Sequence, residues 1–158
     1  MLAFVRRYCL FFTSLFILSL VACSERTDQT KQTKEYTFEV SKEKGDVIEK
    51  DGNVYNIKEL DAFIEKYNAN KGGSVRVTKF NDKEEPTIID LTVKKDIGST
   101  SVHYDVDYTK TSDKDGQSED IQYSHTTCRK IQKMIQDDEI VYQLECPDVI
   151  TLLKIPQK

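Results

Sequence analysis

Two stretches of alternation constrain this chain most. Residues 87–94 (TIIDLTVK) and 100–109 (TSVHYDVDYT) alternate between apolar and polar side chains from Ile89 and from Ser101 onward, the period of a strand with one buried face. In the second, Val102, Tyr104, Val106 and Tyr108 face one way, and His103, Asp105, Asp107 and Thr109 the other. A hairpin loop at Asp96-Ile97-Gly98-Ser99 sets Val93 against Val102, Leu91 against Tyr104 and Ile89 against Val106. In these three pairs each apolar residue meets an apolar residue, and a slip of one position would turn each set to the wrong face. Such a hairpin needs a cover for its apolar side.

The cover is read just upstream. Ile57, Leu60, Phe63, Ile64 and Tyr67 recur at intervals of three and four, the stripe of an amphipathic helix of about three turns. Asn56 and Glu59 have the spacing of a capping box, and Asn70-Lys71-Gly72-Gly73 supplies the stop. Residues 74–80 (SVRVTKF) and 140–146 read as further strands, and 149–155 as a last short one. Residues 128–135 fit either a strand or a helix, with the balance toward strand. The expected fold is α+β, one N-terminal helix packed on an antiparallel β-meander of about four to five strands. With 38% apolar and 32% charged residues, 8 Tyr and 7 Phe, the 158-residue chain can build one such core. The same balance excludes a wholly disordered or multi-span membrane protein.

The N-terminus carries a different signal. Arg6 and Arg7 precede an apolar run over residues 8–20, too short to span a bilayer comfortably, which ends in Leu20-Val21-Ala22-Cys23. This resembles the bacterial lipobox, whose cysteine receives a diacylglyceryl group before cleavage. Residues 1–22 are therefore expected to be a lipoprotein signal peptide, with Cys23 the lipidation site. Residues 23–46 would be a flexible tether, with a short strand possible around Tyr36, Phe38 and Val40, and 47–158 the globular domain. Removing 22 of the 158 residues leaves 136, with 21 basic and 27 acidic side chains and a formal charge of −6. That sign gives no footprint for nucleic acid or for anionic lipid headgroups. Membrane contact is expected through the lipid alone, on the extracytoplasmic side.

The run Gly52-Asn53-Val54-Tyr55-Asn56-Ile57-Lys58-Glu59-Leu60-Asp61-Ala62-Phe63, with Val75-Arg76-Val77, Pro86-Thr87-Ile88 and Thr126-Thr127-Cys128, resembles a family of bacterial lipoproteins. These carry a domain of unknown function, DUF4362, mostly in Gram-positive bacteria. The likeness runs from about Asp46 to Cys146. It departs before the proline, where Lys83-Glu84-Glu85 stands in place of the family's Glu-Gly-Asp. The resemblance implies an envelope lipoprotein and brings no catalytic residues.

Candidate chemistry is sparse. The hairpin register places Asp90 opposite Asp105, with Asp107 and His103 two residues to either side. Like charges across a ladder repel unless neutralised, so this face is read either as a solvated surface balanced by Arg76, Lys79 and Lys94, or as a cation- or partner-binding face. Around Asp113-Lys114-Asp115-Gly116 an EF-hand would need an acid where Thr111 stands, a Glu where Gln122 stands and helices on both sides, and the sequence has none of these. Ser124 and His125, adjacent on a strand, point to opposite faces and cannot act as nucleophile and base. The expected function is a non-enzymatic binding module without a cofactor, meeting an envelope or extracellular protein. The alternative is a small envelope enzyme or metal-dependent hydrolase that uses the acidic face.

Cys9 leaves with the leader and Cys23 is taken by lipid, so the exported domain keeps Cys128 and Cys146. An even pair outside the cytoplasm reads as a disulfide. A three-residue loop at Gln136-Asp137-Asp138 would set the two cysteines directly across a ladder, with Arg129 beside Glu145. Free buried thiols, or a two-thiolate metal site, are the alternatives.

Overall fold

The structure, a computed structural model, describes residues 35–112, 118 and 120–157. The leader, Cys23, the tether up to residue 34 and the Asp113–Gly116 loop lie outside the described residues. In chain order the described elements are α1 (Phe38–Lys44), β1 (Val47–Lys50), β2 (Asn53–Tyr55), α2 (Ile57–Asn68), β3 (Ser74–Phe80), β4 (Pro86–Asp96), β5 (Ser99–Asp107), β6 (Tyr123–Cys128), β7 (Lys130–Gln136), β8 (Glu139–Glu145) and β9 (Val149–Pro156). They build a six-stranded sheet, order β2-β1-β3-β4-β5-β6, and a three-stranded sheet, order β7-β8-β9. Neighbouring strands are antiparallel except β1 and β3, which run parallel and are connected through β2 and α2.

The β4/β5 hairpin has the expected register: Val93 faces Val102, Leu91 faces Tyr104 and Ile89 faces Val106. The strands run further than expected, until Asp96 pairs with Ser99 and only Ile97-Gly98 remain at the tip, with Gly98 at φ +83°. The apolar face of this hairpin is buried. Leu60, Phe63 and Ile64 of α2 pack with Val77, Ile89, Leu91, Val102 and Val106 of the sheet, and Ile131, Tyr142, Leu144, Leu152 and Leu153 of the second sheet join the same core. Burying a residue such as Leu60 or Leu91, both fully inaccessible, stabilises by roughly 1.5–3 kcal/mol. Polar contacts tie α2 to the second sheet: the Tyr142 hydroxyl and the Lys133 ammonium both donate to Asp61, each at 2.9 Å, and the Tyr67 hydroxyl donates to the Arg129 carbonyl at 2.7 Å.

Four expectations need correction. The α+β class holds, but the fold has two helices and two sheets, so the expected helix is the second of the described pair and the strands outnumber a single meander. The tether does not reach Asp46. Residues 38–44 form α1, in place of a tether or a strand, with Thr37 as N-cap accepting from the Val40 amide and Gly45 at φ +79° closing the C-terminus. Its seven residues would not hold a helix alone in water. What holds them is burial of Val40, with the adjoining Tyr36, against Ile88.

The capping box at Asn56 is also absent. Asn56 is left-handed (φ +54°) and its side-chain amide donates to the Asp46 carbonyl at 2.8 Å, so it fastens the helix start to the end of α1. At the other end Asn70, not a glycine, takes the left-handed position (φ +53°). The Lys71 amide then reaches Lys66 O and the Asn70 amide reaches Tyr67 O, a Schellman closure.

The last correction is the register of β7 and β8. Residues 130–136 are strand, but Lys130, not Arg129, faces Glu145, and the turn is the two residues Asp137-Asp138, both at positive φ. The ladder is thus one residue out of step with the expected one.

Candidate functional site

The polar side of the six-stranded sheet divides into a covered half and an open half. Over β1, β3 and the start of β4 lies α1 with its flanking residues. Beneath it Asp46, only 4% exposed, accepts hydrogen bonds from the Tyr36 hydroxyl at 2.6 Å and the Thr78 hydroxyl at 2.8 Å. Arg76 reaches the same tyrosine oxygen at 3.3 Å. Burial, then the bond to Asp46, pushes the Tyr36 phenol above its ordinary range. A buried carboxylate is tolerated when hydroxyl donors replace water in this way.

Arg76 also decides the charge of the face. It sits opposite Asp90 in the β3/β4 ladder and donates to both carboxylate oxygens, through Nε and a terminal nitrogen, each at 2.7 Å. That bidentate fork keeps the guanidinium protonated beyond its ordinary range. Asp90 does face Asp105, as the hairpin register requires, but its charge is already balanced from the other side.

The open half spans β4, β5 and β6. His103 lies between Thr92 and Thr127, Asp105 between Asp90 and His125, and Asp107 opposite Tyr123. One oxygen of Asp107 accepts from the Thr109 amide at 2.8 Å. A shallow hollow of about 340 Å³ is bounded by Asp90, Asp105, Asp107, Tyr123, Ser124 and His125. Of the four residues expected on this face, the structure brings Asp90, Asp105 and Asp107 to the hollow and leaves His103 beside it. Among the described residues no group of three or more His, Cys, Asp or Glu side chains is placed to hold a metal ion.

His125 and Tyr123 were not foreseen as part of this face. The signal for them is the alternation in β6, where Tyr123, His125 and Thr127 are exposed and Cys128 is fully buried. Tyr36, Asp46 and Thr78 were missed as well, because no local spacing links residues from three separate segments.

Two further features fasten the domain. Cys128 and Cys146 form a disulfide with a Cα separation of 3.9 Å. They lie just beyond the β7/β8 ladder, where Arg129 turns the chain from one sheet into the other and its amide donates to Glu145 O at 2.7 Å. Arg129 and Lys130 both approach the Glu145 carboxylate at 3.7 Å. On the opposite side Glu85 accepts from the hydroxyl (2.6 Å) and amide (2.7 Å) of Ser112 and from the Asn81 side chain (3.0 Å). These bonds to the charged form hold its carboxyl down at about 2. Glu85 thereby ties the β3–β4 turn to the chain that leaves β5.

No protein-family model, no curated protein and no solved structure matches the chain.

Proposed function

We propose that this chain is a lipid-anchored cell-envelope protein of the kind it resembles, the lipoproteins with the DUF4362 domain. In this reading Cys23 carries the lipid, and the folded domain is a non-enzymatic binding module on the extracytoplasmic side of the cell membrane. The observation that carries the reading is the Cys128–Cys146 disulfide. Structural disulfides persist in oxidising compartments and are rare in the cytosol, so the bridge and the exported leader point to the same side of the membrane. Binding is favoured by the open half of the polar face, a broad surface with Tyr123 66% exposed at its edge. The partner is an envelope or extracellular protein.

The alternative, a small envelope enzyme or metal-dependent hydrolase, draws on one juxtaposition, His125 across from Asp105 at the hollow. Fractionation of cells that express the wild type and Cys23→Ser tests the anchored reading. The wild type is expected with the membranes, and the variant released or left unprocessed. A Cys23→Ser protein that matures normally and stays on the membrane would remove the lipid anchor from the account.

A further inference from the structure

A sheet edge carries backbone N–H and C=O groups that can template another strand, and proteins blunt such edges with short strands, lysine, proline or bulges. This domain has four edges. β2 is only three residues long. β7 carries Lys130 and Lys133. β9 has a register shift opposite Tyr142/Gln143 and ends in Lys154 and Pro156. β6 (YSHTTC) has none of these devices over six residues. Among the described residues its backbone pairs only with β5. Among the described residues three edges are protected and that of β6 is uncovered.

The flanking surface says what a strand added there must carry. The hollow beside β6 holds Asp105 and Asp107, neither with an ion pair among the described residues, whereas Asp90 is taken by Arg76. Side chains alternate along an added strand, so every second one would stand on this face beside Tyr123, His125 and Thr127, from where a long basic side chain spans β6 to Asp105 and Asp107. A second copy of the chain is disfavoured by the same charges, because antiparallel pairing of two β6 strands would continue the sheet with the same face and set two acidic surfaces side by side.

We infer that the outer edge of β6 binds an extended, cationic polypeptide segment by strand addition, with its Lys or Arg side chains over Asp105 and Asp107. This rests on the reading of the domain as a binding module and names its surface and the chemistry of its partner. Main-chain bonds to the edge supply affinity, and the acidic hollow selects the side chains.

The test uses the full chain in detergent micelles, titrated with a short peptide of alternating lysine and threonine. Controls are the same peptide N-methylated at alternate backbone amides, which keeps the charge and loses the ladder, and an alternating glutamate–threonine peptide. The lysine peptide is expected to bind and to slow hydrogen exchange at β6 amides. N-methylation is expected to weaken it about tenfold or more, and Asp105→Asn with Asp107→Asn to weaken it about tenfold while flattening its salt dependence. Equal binding of the N-methylated peptide would reduce the effect to charge alone and overturn the proposal. So would absence of binding, protection away from β6, or β6 protection from self-association in sedimentation without peptide. A protein that anchors through Cys23 and captures a partner while β6 stays unprotected would leave the module standing and remove this edge from it.

Discussion

On the inner face of the six-stranded sheet, Val77, Ile89, Leu91, Val102 and Val106 meet the apolar stripe of α2 and the second sheet. On the outer face, alternating with them, stand Arg76, Thr78, Asp90, Asp105 and Asp107, and there the apolar cover is local to α1: Tyr36 and Val40 on Ile88, and the Phe38 ring edge-on to Tyr55 and Phe80. Closure of the inner face depends on area and shape, with many contacts of similar kind. Closure of the outer face depends on particular partners, Tyr36 and Thr78 for Asp46, and Arg76 for Asp90. The first arrangement stabilises and the second specifies where α1 ends, so that β4 to β6 stay open.

The contrast is sharpest in the core. Phe63→Ala, at a position 2% exposed, is expected to cost about 3–5 kcal/mol in urea unfolding. A loss under about 1 kcal/mol would mean that α2 is not what closes the inner face. Next in size is Cys146→Ser, which opens a bridge between residues 18 apart and should cost about 3 kcal/mol. Reductant should lower the Tm of the wild type and leave that of the variant unchanged; equal responses would contradict the bridge. Tyr36→Phe removes one of the donors to Asp46 and should cost about 1–2 kcal/mol, with faster hydrogen exchange at the Val40 amide. Unchanged exchange would separate α1 from this network.

The pH dependence of Glu85 has a defined sign. Its folded carboxyl sits at about 2 against an ordinary 4.5, so its contribution is fully present above about 4.5 and is lost as pH falls toward 2. The stability gap between wild type and Glu85→Gln should therefore shrink across that window, read from urea midpoints at each pH. A gap that widens on acidification would reverse the assignment. The smallest effect is at the open face: Asp105→Asn should change stability by no more than about 0.5 kcal/mol, because no fold-holding contact is removed. A large loss would make the open face a structural element after all.

How much of this was legible varies along the chain for physical reasons. The β4/β5 register could be read because Ile89, Leu91 and Val93 must all meet apolar partners, and it survived an error in the turn length. The β7/β8 register was read from a cysteine pair instead. Cys128 and Cys146 sit past the ladder, where the chain bends at Arg129, so their bond was foreseen while the register came out one residue wrong. The pairs Ile131/Leu144 and Ile135/Ile140 would have been the better guide. Helix α1 has too few residues for a helical period to show, and the spacing of Tyr36, Phe38 and Val40 imitates a strand. Asn56 has the residue type of an N-cap but uses its amide on Asp46, a contact only the tertiary fold creates. Of the open face, Asp90 and Asp105 followed from the hairpin, while His125 and Tyr123 needed the β5/β6 register.

The intact mass of the protein extracted from cell membranes tests anchoring and compartment together. The expected species begins at Cys23, carries a diacylglyceryl group, and is lighter by two hydrogens than the same species after reduction. An unmodified chain that still holds residues 1–22, or one whose Cys128 and Cys146 alkylate without reductant, would contradict a lipid-anchored domain outside the cytoplasm.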